Sequence, residues 1–139
     1  MSNYWLCVTR ERNWERIKRL RIWGVSETKR RIIEQVKPGD ILVFYITPKK
    51  LGGSFRVISK PYVDNTPIFV SEEGETYPLR VKIEPLIVPS QPKDFTPLIK
   101  CLSITKGKRV WHIILRGTMI RLQRDDYEII ERYLEENNL

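Results

Sequence analysis

The chain is poor in the residues that make small proteins stable by covalent or metal cross-links. It has two cysteines, Cys7 and Cys101, far apart and each in an apolar context, and a single histidine, His112. Those groups at those spacings do not make a zinc site. Both thiols read as buried small hydrophobes, which argues against an oxidising compartment. Long apolar runs are missing as well, and nothing approaches the roughly 20 residues of a membrane span. The first residues, Met1-Ser2-Asn3-Tyr4-Trp5, lack the basic-then-apolar layout of a secretory leader. We therefore expect a cytoplasmic protein with no membrane partner. The glycines form no phosphate-cradling loop, the acids form no paired-carboxylate signature, and no Ser or Cys is recognisable as a nucleophile partner for His112. A lone histidine more often serves a structural hydrogen bond. No catalytic residue, metal or cofactor is expected.

What is present is basic charge, aromatic rings and short apolar segments. The 139 residues fit one domain, 1–139, long enough to bury a core unaided. The formal net charge is +8, unevenly spread. From Arg10 to Arg31 nine basic residues face three acids, whereas from Asp125 to Leu139 six acids face one arginine. Such asymmetry suits a polyanion on one side of the molecule. The competing reading is a solvated surface of paired charges. Abundant Arg, Lys, Glu and Ile with few Gln give a thermophile-like composition.

Periodicity predicts a first strand at Tyr4–Val8 and a short helix capped by Asn13, with Trp14, Ile17 and Leu20 on one face. Trp23 reads as a loop residue, flanked by Gly24. Ser26 is the expected cap of a second basic helix carrying Ile32, Ile33 and Val36. After the Pro38-Gly39-Asp40 turn, Ile41–Thr47 reads as a strand with Leu42, Phe44 and Ile46 on one face and Val43, Tyr45 and Thr47 on the other. A turn over residues 48–53, strands at 54–62 and 79–88, a loop at 64–76, a late strand at 110–115 and a closing helix from Asp125 complete the order. Strands not separated by regular helices point away from a doubly wound sheet and towards a small, mostly antiparallel barrel with peripheral helices.

Several aromatic residues stand near basic ones: Trp23, Tyr45, Tyr62, Phe69, Tyr77, and Trp111 close to Arg116. Aromatic faces stack on nucleobases, at about 1–3 kcal/mol each in single-strand binders, and a few such walls can hold a base turned out of a helix. Trp5, Trp14 and Phe44 read instead as core. Arg16, Arg19, Arg21, Lys29, Arg30, Arg31 and Arg116 are the candidate phosphate contacts.

Four segments in order carry a family resemblance: Trp23-Gly24-Val25, then residues 36–45 (Val-Lys-Pro-Gly-Asp-Ile-Leu-Val-Phe-Tyr), Lys60-Pro61-Tyr62-Val63-Asp64, and Tyr77-Pro78-Leu79-Arg80-Val81-Lys82-Ile83. Together with Phe95-Thr96-Pro97-Leu98 and residues 122–134, they resemble the successive motifs of the EVE domain. The resemblance implies a PUA-like α+β fold, a small mixed or antiparallel β-barrel with peripheral helices, related to YTH domains that hold a modified base in an aromatic cage. It implies a nucleic-acid partner, RNA or DNA, with Trp23 as first cage wall, Tyr77 and then Phe69 as further walls, and Gly24, Val25, Ser26, Tyr45, Thr47 and Trp111 around the base. The chain departs from the family at Ser26-Glu27, where an Arg-Asn pair is usual, and at Ile46-Thr47, where a polar pair is usual. The wider superfamily also contains ASCH-like amidohydrolases acting on a modified nucleoside, for which Thr28, Lys29 and Glu84 or Glu75 are the candidates. A protein-interaction module using the basic face is a third possibility.

Overall fold

Alternation along the central strand β3 (Ile41–Thr47) organises the molecule. Leu42, Phe44 and Ile46 enter one core, while Val43 and Tyr45 enter a second on the opposite face. The computed structural model describes residues 2–109, 111–115 and 117–136. β1 (Tyr4–Arg10) lies parallel to β3, and Trp5 and Cys7 join the first core while Leu6 joins the second. Between these strands the chain makes α1 (Glu11–Leu20), β2 (Ile22–Val25), a 3-10 turn (Glu27–Lys29) and the short α2 (Arg30–Ile33). After β3 come β4 (Lys50–Val57), β5 (Tyr62–Val63), β6 (Leu79–Ile87) and β7 (Lys93–Asp94). A 3-10 turn (Thr96–Leu98), α3 (Trp111–Ile114), β8 (Met119–Leu122) and α4 (Arg124–Glu135) end the chain.

The strand order is β2-β6-β4-β3-β1-β8, with β5 beside β6 and β7 beside β4. Apart from β1 with β3, the strand pairs are antiparallel. The mixed sheet curls into a half-barrel with helices around it, the α+β PUA-like architecture expected from the sequence. α1 closes the first core through Trp14 and Ile17; α4 closes the second through Tyr127, Ile130 and Leu134. Asp40 is buried at the head of β3. Its carboxylate accepts the Asn3 amide (3.0 Å), the Trp5 indole N–H (3.2 Å) and the Lys37 amide (3.1 Å), tying the start of β1 to the start of β3. The preceding Gly39 has φ of 96°, which explains the glycine of that turn.

Several boundaries differ from the sequence reading. Trp23 lies on strand β2, not in a loop, because β2 pairs with β6 and sets Trp23 opposite Val81. α1 begins two residues before Asn13, whose side chain is used elsewhere. Gly52 and Gly53, expected in a turn, lie within β4. A β-carbon on Gly52 would stand 2.6 Å from the Trp14 ring, so glycine there makes room for the indole. Trp111–Ile114 is a helical turn, and the late strand is Met119–Leu122. Asp126 is buried in α4, where it accepts the amide (2.8 Å) and hydroxyl (2.7 Å) of Ser103.

Candidate nucleic-acid interface

The parallel pair β1 and β3 ends, at its carboxyl side, in a cleft of about 1190 Å³. Beyond the carboxyl ends of parallel strands is where open sheets commonly place ligands. The last residues of β1, the first turn of α1, Trp23 and Gly24 of β2, the end of β3, the 69–77 loop and α3 surround this cleft.

Of the residues expected around a base, Trp23, Gly24, Tyr45, Thr47, Phe69, Tyr77 and Trp111 line this one cleft. Val25 and Ser26 do not. Val25 is wholly buried in the first core, and the Ser26 hydroxyl lies 2.6 Å from that of Thr28. Trp23 is not the open, isolated ring its glycine neighbour suggested. It is 4 % exposed and meets Phe44 edge-on with centroids 5.4 Å apart. The Tyr45 ring is also buried, packed edge-on against Phe95 at 4.9 Å. Burial pushes the Tyr45 hydroxyl above the usual tyrosine value, opposed by the Lys49 amide that donates to it at 2.9 Å. Phe69, Tyr77 and Trp111 are only half-buried, and Phe69 and Tyr77 meet edge-on at 5.9 Å.

Residues that sequence reasoning passed over build the wall carrying Phe69 and Tyr77. Arg80 alternates with Lys82 and Glu84 on the strand face opposite Val81 and Ile83, yet it is 0 % exposed. Its Nε donates to the Tyr77 carbonyl (3.0 Å), and its Nη2 donates to the carbonyls of Thr66 and Thr76 (2.8 Å). The Asn13 amide group donates to the Val70 carbonyl (3.0 Å) and accepts the Val70 N–H (2.7 Å). Asp64 accepts the hydroxyl (2.7 Å) and amide (2.9 Å) of Thr66, and these bonds hold its carboxyl below the usual carboxylate range. The sequence signal for Arg80 was its place in the fourth family segment; no signal marked Asn13 beyond its capping propensity.

The expected phosphate contacts Arg16, Arg19, Arg21, Lys29, Arg30 and Arg31 lie outside the cleft lining. Arg16 donates to the Arg12 carbonyl (3.1 Å), Arg21 ends α1 with φ of 58°, and Arg30 is paired with Glu27 (2.7 Å) and Glu34 (3.5 Å). Arg116 falls outside the described residues. The cleft instead carries Arg10, Arg12 and Lys49, with Glu11, Glu72 and Glu73 among them; Arg10 and Glu72, both exposed, are 3.9 Å apart. The amidohydrolase candidates do not converge. Thr28 and Lys29 lie on the 3-10 turn, Glu84 pairs with Arg56 (3.1 Å) on the outer side of the sheet, and Glu75 accepts the Tyr77 amide (3.0 Å). None of the four lines the cleft. Among the described residues no group of three or more His, Cys, Asp or Glu side chains is placed to hold a metal, and no helix is long and apolar enough to cross a membrane.

The EVE domain family model matches residues 3–133. The chain belongs to the EVE domain family. It is 41% identical over 143 residues to a UPF0310 protein of Pyrococcus abyssi, covering 95% of this chain and 99% of the relative. To a UPF0310 protein of Pyrococcus horikoshii it is 40% identical over 144 residues, with 94% and 98% covered. Among solved structures, its fold is similar to the Pho92 YTH domain in complex with m6A (TM-score 0.76, 14% identity, 99% of this chain and 89% of that one). The Mmi1 YTH domain complex with RNA is similar at TM-score 0.69, 13% identity, 96% of this chain and 77% of that one.

In this EVE domain the cleft thus has two kinds of aromatic residue. Trp23 and Tyr45 are buried and line its depth; Phe69, Tyr77 and Trp111 are only half-buried.

Proposed function

We propose that this EVE domain binds nucleic acid and takes one modified base, turned out of its strand, into the cleft. The observation that carries this reading is the convergence of Trp23, Tyr45, Phe69, Tyr77 and Trp111 from separate segments on one cleft at the end of the parallel strand pair. A planar, uncharged, partly apolar ligand fits such a lining. The cleft volume exceeds what one base fills, leaving space for the sugar and flanking phosphates, which Arg10, Arg12 and Lys49 meet at its rim. The YTH structures of similar fold, one in complex with m6A and one with RNA, support the choice of ligand class. The domain acts as a reader in the cytoplasm and returns the base unchanged.

The test is a binding panel of short single-stranded RNA and DNA of one sequence, unmodified or carrying N6-methyladenine, 5-methylcytosine or N4-acetylcytosine, at two salt concentrations. The expected result is a preference for one modified strand, worth about 1–3 kcal/mol of stacking, over a background that weakens with salt. Equal affinity for every member of the panel would overturn the base-reading proposal. Chromatography of the acetylated strand after incubation checks for turnover; released acetate would move the protein to the hydrolases.

A further inference from the structure

A fully buried guanidinium must be matched by acceptors, because an unpaired buried charge is strongly unfavourable. The acceptors of Arg80 all belong to one segment. Its Nε and Nη2 reach the carbonyls of Thr66, Thr76 and Tyr77, and its Nη1 stands 3.5 Å from the Asp64 carboxylate. One side chain therefore joins both ends of the 64–77 segment. The same guanidinium lies 5.3 Å from the centroid of the Phe69 ring, within cation–π range. Tyr77 has φ of 50°, an unusual left-handed setting for a bulky residue. Its backbone is held on both sides: the N–H by Glu75 (3.0 Å) and the carbonyl by Arg80 (3.0 Å).

We propose that Arg80 is a positioning residue for the cleft. It fixes Phe69 and Tyr77 as a formed wall in the free protein, so that an entering base meets ordered rings instead of ordering a loop as it binds. This rests on the base-reading function proposed above. The physical gain is preorganisation: a wall already in place loses little conformational freedom on binding. The planar fork serves three carbonyls through Nε and Nη2, while Nη1, which makes no hydrogen bond, keeps only a charge contact with Asp64; a lysine ammonium is a single point charge on a flexible stem and cannot reproduce that geometry.

The test compares wild type with Arg80→Lys by two measurements. Hydrogen exchange of the amides of residues 66–77 needs no ligand. Affinity is measured for the RNA carrying N6-methyladenine and its unmethylated twin, or for the pair that the panel selects. The expected outcome is faster exchange in 66–77 and about a tenfold loss of affinity for the modified strand, a larger loss than for its unmodified twin. Unchanged exchange, or an intact preference for the modified base, overturns the proposal. If Arg80→Lys does not fold, Asp64→Asn, which leaves the buried cation with its three carbonyls, is read by the same two measurements, with a smaller shift in the same direction expected and no shift overturning the proposal. A wild-type protein without any base preference would sink the reading of the site, and the exchange result would still decide whether Arg80 holds the loop.

Discussion

Gly24 and Tyr77 touch through their backbones. A β-carbon on Gly24 would stand 2.6 Å from the Tyr77 carbonyl oxygen and 2.8 Å from Cε2 of Phe69. Gly24→Ala therefore pushes the loop away from β2 and away from Arg80, whose Nε bonds that same carbonyl. Overpacking of this kind costs about 1–3 kcal/mol. The expected outcome is a lower melting temperature together with a reduced preference for the modified base. Thermal unfolding and the binding panel on one sample check it.

Trp23 belongs to the core. Trp23→Ala should cost about 3–5 kcal/mol, the usual range for removing a buried aromatic ring, and should lower the melting temperature clearly. Denaturant unfolding measures it. Near-normal stability in this variant would contradict the edge-on packing against Phe44.

The rim cations should govern salt dependence. Arg12→Ala and Lys49→Ala are expected to flatten the slope of log affinity against log salt by about 0.7 per lost phosphate contact on single strands. Arg30→Ala should change it little, because Arg30 already faces Glu27 and Glu34. A salt titration of each variant separates them.

Acid should loosen the 64–77 segment. The Asp64 carboxyl is held low, chiefly by Thr66, so its unfolded form binds a proton first as pH falls. The stabilisation is complete above the ordinary carboxylate value of 3.8 and is lost as pH falls through the lower folded value. Asp64→Asn should flatten this part of the profile. Asp94, held low by Thr96, titrates in the same direction and remains in the variant.

Alkali should act through Tyr127, whose hydroxyl burial pushes up to about 12 from the usual 10. The folded state keeps its proton where the unfolded state has lost it, so stability falls as pH rises from 10 through about 12. Tyr127→Phe keeps the stack on Tyr4, with centroids 4.6 Å apart, and should remove this contribution. Thermal unfolding at a series of alkaline pH values tests it.

The legible parts of the sequence were those set by local period. The two faces of Ile41–Thr47 follow from strict alternation, and the helical spacing of Tyr127, Ile130, Tyr133 and Leu134 marks the inward stripe of α4, in which Tyr133 is only partly buried. The order of the family segments carried the fold, and most of the expected pocket residues do share one cleft. What local pattern could not show was set by distant partners. Gly24 beside Trp23 read as loop, but glycine is there because another loop passes across the strand. Gly52 read as turn, but it sits in β4 beneath the Trp14 indole. Arg80 alternated with Lys82 and Glu84 like a solvent-facing residue, and only the folding of 64–77 over β6 buries it. The basic cluster at Arg10–Arg31 reads as one patch in sequence, whereas the turn of α1 divides it between the cleft rim and other faces.

The sheet order leaves short strands at both ends of the path. The outermost strands on the path, Ile22–Val25 and Met119–Leu122, are each four residues long, while the strands between them run seven to nine. An exposed edge is a template for strand addition, and short or charged edges blunt it. Here the long hydrophobic strands are all interior. One edge carries Arg121, lying over the Trp5 ring at 5.3 Å and bonded to Asn3. Strand addition to the described sheet would therefore have only two short edges to build on, and the cleft opens at the ends of interior strands.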